Sequence, residues 1–195
     1  MRFLMSLAAV GIVVLIAAPA DPKKAGLKPG NDLPGPFTPY NLTGKHAGRF
    51  HCLVCQNGLN PVVLVLIRGT DVDAATRALL EQLDKAVKAN EKARLGGFAV
   101  FIDDQVRDLV ADDEQRDDLV KKVEDAAPKL ERLVLALESK KNLDKYPLDE
   151  EAALTLVLYN RLKIVDVKTF AKGKLDPASV KTLVAEAVEK LTKSK

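Results

Sequence analysis

Residues 61–69, PVVLVLIRG, hold a largely β-branched run that is apolar without a break from Val62 to Ile67 and is bounded by proline and glycine. A strand with one face in water alternates apolar and polar residues, whereas a run with no polar member is covered on both faces. The chain is therefore expected to build a sheet with layers of helix against it.

The flanking sequence supplies those layers. Asp73 is placed to cap a helix whose apolar positions Ala75, Leu79, Leu83 and Val87 recur at helical spacing, and Gly96-Gly97 ends that unit. FAVFIDD, Phe98 to Asp104, reads as a second buried strand. Asp112 to Ala127 reads as a second helix with Leu119, Val120, Val123 and Ala127 on one side, closed by Pro128. LERLVLALE, Leu130 to Glu138, is a third strand candidate whose Leu and Ala content also suits a helix. ALTLVLY, Ala153 to Tyr159, and KIVDVKTF, Lys163 to Phe170, flank a few polar residues around Asn160-Arg161 and read as a hairpin. Asp176 then caps a helix with Pro177 in its first turn and an apolar stripe of Val180, Leu183, Val184, Ala187, Val188 and Leu191. This order predicts an α/β fold with a mixed sheet, because a fully parallel sheet leaves the hairpin unexplained. No internal repeat or second domain is apparent, and a chain of 195 residues buries roughly 70% of its unfolded surface without help from crosslinks.

The N-terminus bears on compartment. Arg2 precedes an apolar run from Phe3 to Ala18, Ala18-Pro19-Ala20 offers small residues where a signal peptidase reads, and the run stops at Asp21-Pro22-Lys23-Lys24. A run of this length is short of the ~20 residues that span a bilayer, so residues 1–20 are read as a cleaved signal peptide rather than an anchor. The mature chain is expected to be periplasmic or secreted, where disulfides persist. Residues 21–37, with four prolines and glycines at 26, 30 and 35 before Pro39, read as an irregular lead-in to a single domain over 38–193. With 30 basic against 27 acidic residues and no basic block interleaved with aromatics, nucleic acid is not an expected partner.

All the histidines and cysteines fall in one segment, KHAGRFHCLVCQNG, residues 45–58: His46, His51, Cys52 and Cys55. In a straight strand Cys52 and Cys55 would lie ~10 Å apart on opposite faces, beyond the ~7 Å reach of a disulfide. The pair needs a turn, and Asn57-Gly58 suggests a knuckle-like hairpin. A four-residue ring stabilises by only roughly 2 kcal/mol on the chain-entropy model, a modest return for a purely structural staple. The pair is thus a candidate redox site, with a structural disulfide as the alternative. A third reading joins His46, His51, Cys52 and Cys55 in a zinc or copper site, although adjacent His51 and Cys52 diverge in extended backbone and surface histidines are the plainer reading. Haem attachment fails because Gln56 occupies the required histidine position, and no other cofactor is indicated.

PVVLVLIRG together with ALTLVLYNRLKIVDVKTF and the Pro177 helix resembles the central strand, closing hairpin and last helix of the thioredoxin-like superfamily, which includes thioredoxins and peroxiredoxins. The similarity covers roughly Thr38 to Leu191. It implies a three-layer sandwich with a central mixed sheet ending in a β-hairpin and a C-terminal helix, and thiol–disulfide chemistry with a thiol or disulfide protein as partner. The departures are specific. The family carries its redox cysteines just after the central strand, where this chain has Gly69-Thr70-Asp71-Val72-Asp73, and a cis-proline before the hairpin strand, where it has Leu154 preceding Thr155. The resemblance thus implies a divergent member whose usual site is vacant. Its Cys52/Cys55 pair is displaced to the other side of the central strand in sequence, and a non-catalytic binding module that keeps the fold is the alternative.

Other polar groups have plainer expectations. Asp103 and Asp104 end a strand, and Asp112, Asp113, Glu114, Asp117 and Asp118 follow; helix capping and a solvated face explain them better than cation binding. Arg68 ends the central strand and is expected at the surface. Asn41-Leu42-Thr43 matches a glycosylation acceptor.

Overall fold

The central strand, β3 (Val62–Arg68), sends Val63, Val65 and Ile67 into one apolar cluster and Val62, Leu64 and Leu66 into another, all of them buried. A computed structural model, which describes residues 27–104 and 106–193, places this doubly covered strand at the centre of a seven-stranded sheet whose two outermost strands are more exposed. The proposed signal peptide and its cleavage site lie outside the described residues.

The elements follow in chain order as β1 (Tyr40–Asn41), β2 (Arg49–Phe50), α1 (Leu53–Asn57), β3, α2 (Ala74–Ala89), β4 (Gly96–Ile102), α3 (Val106–Ala111), α4 (Asp113–Ala126), β5 (Val134–Glu138), β6 (Ala152–Asn160), β7 (Lys163–Ala171) and α5 (Val180–Lys193). The strand order is β2-β1-β5-β4-β3-β6-β7. β3 pairs in parallel with β4 and antiparallel with β6, β4 is parallel to β5, and β6–β7 is the antiparallel hairpin expected from the sequence.

The long helices share one face. Leu79, Leu80 and Leu83 of α2, Leu119 and Val123 of α4, and Leu183, Val184 and Ala187 of α5 join Val65, Phe101 and Leu156 of the sheet. Asp73 caps α2 by accepting the Thr76 N–H at 2.7 Å, and Asp112 caps α4 by accepting the Gln115 N–H at 2.9 Å. Asp176 accepts the Ala178 N–H at the short turn Pro177–Ser179 that leads into α5.

The opposite face is covered by shorter pieces. Leu53 and Val54 of α1, Leu143 of the turn Lys140–Leu143, and Leu33 and Phe37 of the lead-in pack on Leu64, Phe98 and Val157. The lead-in is tied to the hairpin, since Gly30 N–H donates to Ile164 O and Leu33 N–H donates to Leu162 O.

The third strand candidate begins later than the sequence suggests. Asp84 of α2 reaches across and accepts the N–H groups of Glu131, Arg132 and Leu133 at 3.1, 2.7 and 2.8 Å with one carboxylate oxygen. Those donors are withdrawn from any sheet ladder, so β5 starts at Val134.

Candidate functional site: the Cys52–Cys55 disulfide

The segment that carries the cysteines is built from the sheet edge outward. β2 pairs with β1, placing Phe50 opposite Tyr40, and His51 N–H continues the ladder to Pro39 O at 3.1 Å. At Cys52 the backbone leaves the strand in an extended conformation and becomes the cap of α1, and burial of Leu53 and Val54 fixes this short helix on the face of the sheet. The expected knuckle-like hairpin at Asn57-Gly58 is instead a helix end. Gly58 takes a positive φ of 55° while its N–H donates to Val54 O, and Asn57 Nδ2 donates to Leu53 O at 2.8 Å. A glycine just past a helix meets the same need for positive φ as a glycine in a turn, which is why the two readings share one signal. Asn57 Oδ1 lies against Gly96, in space a side chain there would fill, and this contact seats the far end of α1 on β4.

Cys52 and Cys55 form a disulfide, with Cα atoms 5.3 Å apart. One helical turn supplies the approach that an extended chain denies. The two sulfurs differ in surroundings: Cys52 is half-buried and packs against the apolar cluster, while Cys55 is exposed. The Cys52 sulfur also accepts the Cys55 N–H at 3.0 Å, in the position a capping oxygen would occupy.

The histidines gather beside this pair without completing a metal site. The His46 and His51 rings stack at 3.6 Å with 22° between their planes. Desolvation, followed by the positive charges of His51, Lys45 and Arg49, holds His46 below the ordinary histidine pKa. The plain surface reading of these two residues thus misses their mutual stacking. With both sulfurs joined to each other, the tetrahedral set considered from sequence is not assembled, and among the described residues no group of three His, Cys, Asp or Glu is placed to hold a metal.

Phe50 is anchored from below. Its ring meets Tyr40 edge-on at 5.4 Å, and the Arg107 guanidinium lies 4.3 Å over it. Arg107 also donates to Thr38 O at 3.1 Å and to both oxygens of Glu138 at 3.3 and 3.1 Å. The Glu138 side chain is 0% exposed, and it also accepts from Ser139 N–H and Asn142 Nδ2. Sequence reasoning missed this pair, because nothing in LVLALE marks its final glutamate as buried.

The loop after β3 lines a cavity of about 290 Å³ with Arg68, Asp71, Thr76, Leu154, Phe170 and Lys172. It contains no sulfur. Leu154 pairs with Ile67 at its rim, and every peptide bond among the described residues is trans. Arg68 is half-buried rather than free at the surface, donating to Ala152 O and Asp149 O at 3.2 and 3.1 Å. Asn41 is buried on β1, so the glycosylation acceptor is closed in the folded chain; Thr43 Oγ1 accepts the Leu135 N–H at 2.8 Å.

Solved structures share this arrangement. A candidate thiol:disulfide interchange protein DsbE from Chlorobium tepidum superposes with a TM-score of 0.57 at 15% identity, over 84% of this chain and 97% of that one. The fold is thioredoxin-like. A candidate protein disulfide isomerase from Bacteroides thetaiotaomicron gives 0.54 at 17% identity, over 84% and 90% of the two chains. A yeast mitochondrial 1-Cys peroxiredoxin gives 0.52 at 11%, over 81% and 75%. No protein-family model matches the sequence, and no curated protein matches it. In this thioredoxin-like frame the loop that follows the central strand is the cysteine-free Gly69–Asp73, while α1 and its disulfide lie on the face opposite α2. Among the described residues no helix is long and apolar enough to cross a membrane.

Proposed function

We propose that this protein is exported by cleavage after Ala20 and exchanges thiols and disulfides with a protein partner through Cys52 and Cys55. The observation that carries the reading is the asymmetry of the pair, an exposed Cys55 bonded to a half-buried Cys52 whose sulfur already accepts a backbone N–H. A partner thiolate attacks Cys55 Sγ, the Cys52–Cys55 bond breaks, and its electron pair leaves on Cys52 Sγ. There the Cys55 N–H stabilises the developing thiolate, and a better-stabilised leaving thiolate departs faster. A second thiolate of the partner then attacks the partner's own sulfur in the mixed disulfide. Cys55 is released as a thiolate that takes a proton from water, leaving the protein reduced by two electrons and the partner oxidised. The reverse sequence reduces a partner disulfide.

Single variants test the order of attack. With glutathione disulfide as probe, Cys52→Ser is expected to accumulate a lasting adduct on Cys55. Cys55→Ser is expected to form its adduct at Cys52 on the order of tenfold more slowly, because that sulfur is less accessible. Equal rates, or faster reaction at Cys52, would contradict this order. The rival reading, a binding module stapled by an inert disulfide, draws on the cysteine-free loop after β3 and predicts a wild-type bond that resists mild reductant.

A further inference from the structure

The chain carries 27 acidic residues, yet none falls between Leu33 and Thr70, the segment that delivers the disulfide. Apart from Arg68 at the end of β3, the cations it carries, Lys45 and Arg49, fall on the turn that leads to the cysteines. Lys45 and Arg49 are exposed, and the His46 ring, stacked on His51, joins them directly to the residue before Cys52. The charged neighbours that act on His46 are all positive. The nearby Arg107 contributes little net charge, since the buried Glu138 carboxylate matches it. Apolar surface adjoins this collar in sequence: Phe50 and Leu59, 41% and 60% exposed, bracket the disulfide segment.

We propose that Lys45 and Arg49, which flank the stacked His46 ring, form a cationic collar that selects an anionic thiol partner, a cysteine borne on an acidic segment with an apolar side chain nearby. This rests on the exchange reading above and adds the chemistry of the partner. The collar concentrates a negatively charged thiol and repels a positively charged one through water, so the selection is kinetic and is screened by salt. Lys45 and Arg49, carried on the turn that leads through the stacked histidines to Cys52, are expected to favour an anionic over a cationic thiol on the order of tenfold at low ionic strength.

The test reduces the oxidised full chain with 2-mercaptoethanesulfonate and with cysteamine, each rate divided by that of the same thiol on an uncharged model disulfide. The normalised rates are expected to favour the anionic thiol by about tenfold at low salt, to converge in about 0.5 M salt, and to converge in Lys45→Gln/Arg49→Gln, whose altered side chains are exposed. Equal normalised rates at low salt, or a preference that survives neutralisation, would overturn the collar while leaving the exchange reading intact. Failure of both thiols to reduce the bond would overturn the collar and the exchange reading together.

Discussion

Glu138 shows how a single side chain can hold the surroundings of the disulfide in place. A fully buried carboxylate is tolerated only with partners, and here Arg107, Ser139 and Asn142 supply them. The same guanidinium covers Phe50, two residues before Cys52, so the ion pair ties the end of β5 to the strand that leads into the site. Removing the cation leaves a buried charge and an uncovered ring. Arg107→Ala is expected to lower stability by roughly 3 kcal/mol, read as a shift in denaturant midpoint at unchanged slope. Arg107→Lys should recover only part of the loss, since an ammonium cannot make the paired contacts of the guanidinium. A loss within about 0.5 kcal/mol for Arg107→Ala would show that the carboxylate is rehydrated or neutralised. No spacing rule marks this pair in the sequence, whereas Asp73, Asp112 and Asp176 were legible because capping is a local contact.

At the scale of elements, legibility follows length. β3, β4, β6 and β7 each run for seven or nine residues, and α2, α4 and α5 for fourteen to sixteen, enough for a period to declare itself. α1 has five residues and β1 and β2 have two each, so tertiary contacts rather than propensity hold them. This is why the sequence suggests a hairpin where the structure has a helix: the cysteines are visible, but the helix that joins them depends on burial of Leu53 and Val54. The hairpin turn between β6 and β7 offers a quantitative check. Arg161 and Leu162 both sit in left-handed backbone, at φ of 53° and 61°, a conformation that suits Asn-Gly and costs other residues about 1–2 kcal/mol each. Arg161→Asn/Leu162→Gly is expected to stabilise the protein by roughly 1–2 kcal/mol in equilibrium unfolding. A destabilised double variant would mean that the two native side chains contribute more than the strain costs.

For the whole molecule, two-sided burial of β3 was legible from nine residues, and it led to the correct class of fold. The thioredoxin-like arrangement then separates two places where chemistry could occur. One is the cavity at the end of β3, which keeps its shape around Arg68 and Leu154 but has no cysteine. The other is the disulfide on the opposite face, held by β2 and a one-turn helix. Sequence alone could place the cysteines before the central strand but not on which face, because that depends on β2 pairing at the edge of the sheet beyond β5. The central claim is that Cys52–Cys55 works in exchange rather than as a staple. The reduction potential of the pair, measured by equilibrating the full chain in glutathione buffers of graded composition, tests it most directly. A value between roughly −120 and −270 mV, within the span of known exchange proteins, is the expected result; one below about −300 mV would identify a structural disulfide and contradict the account.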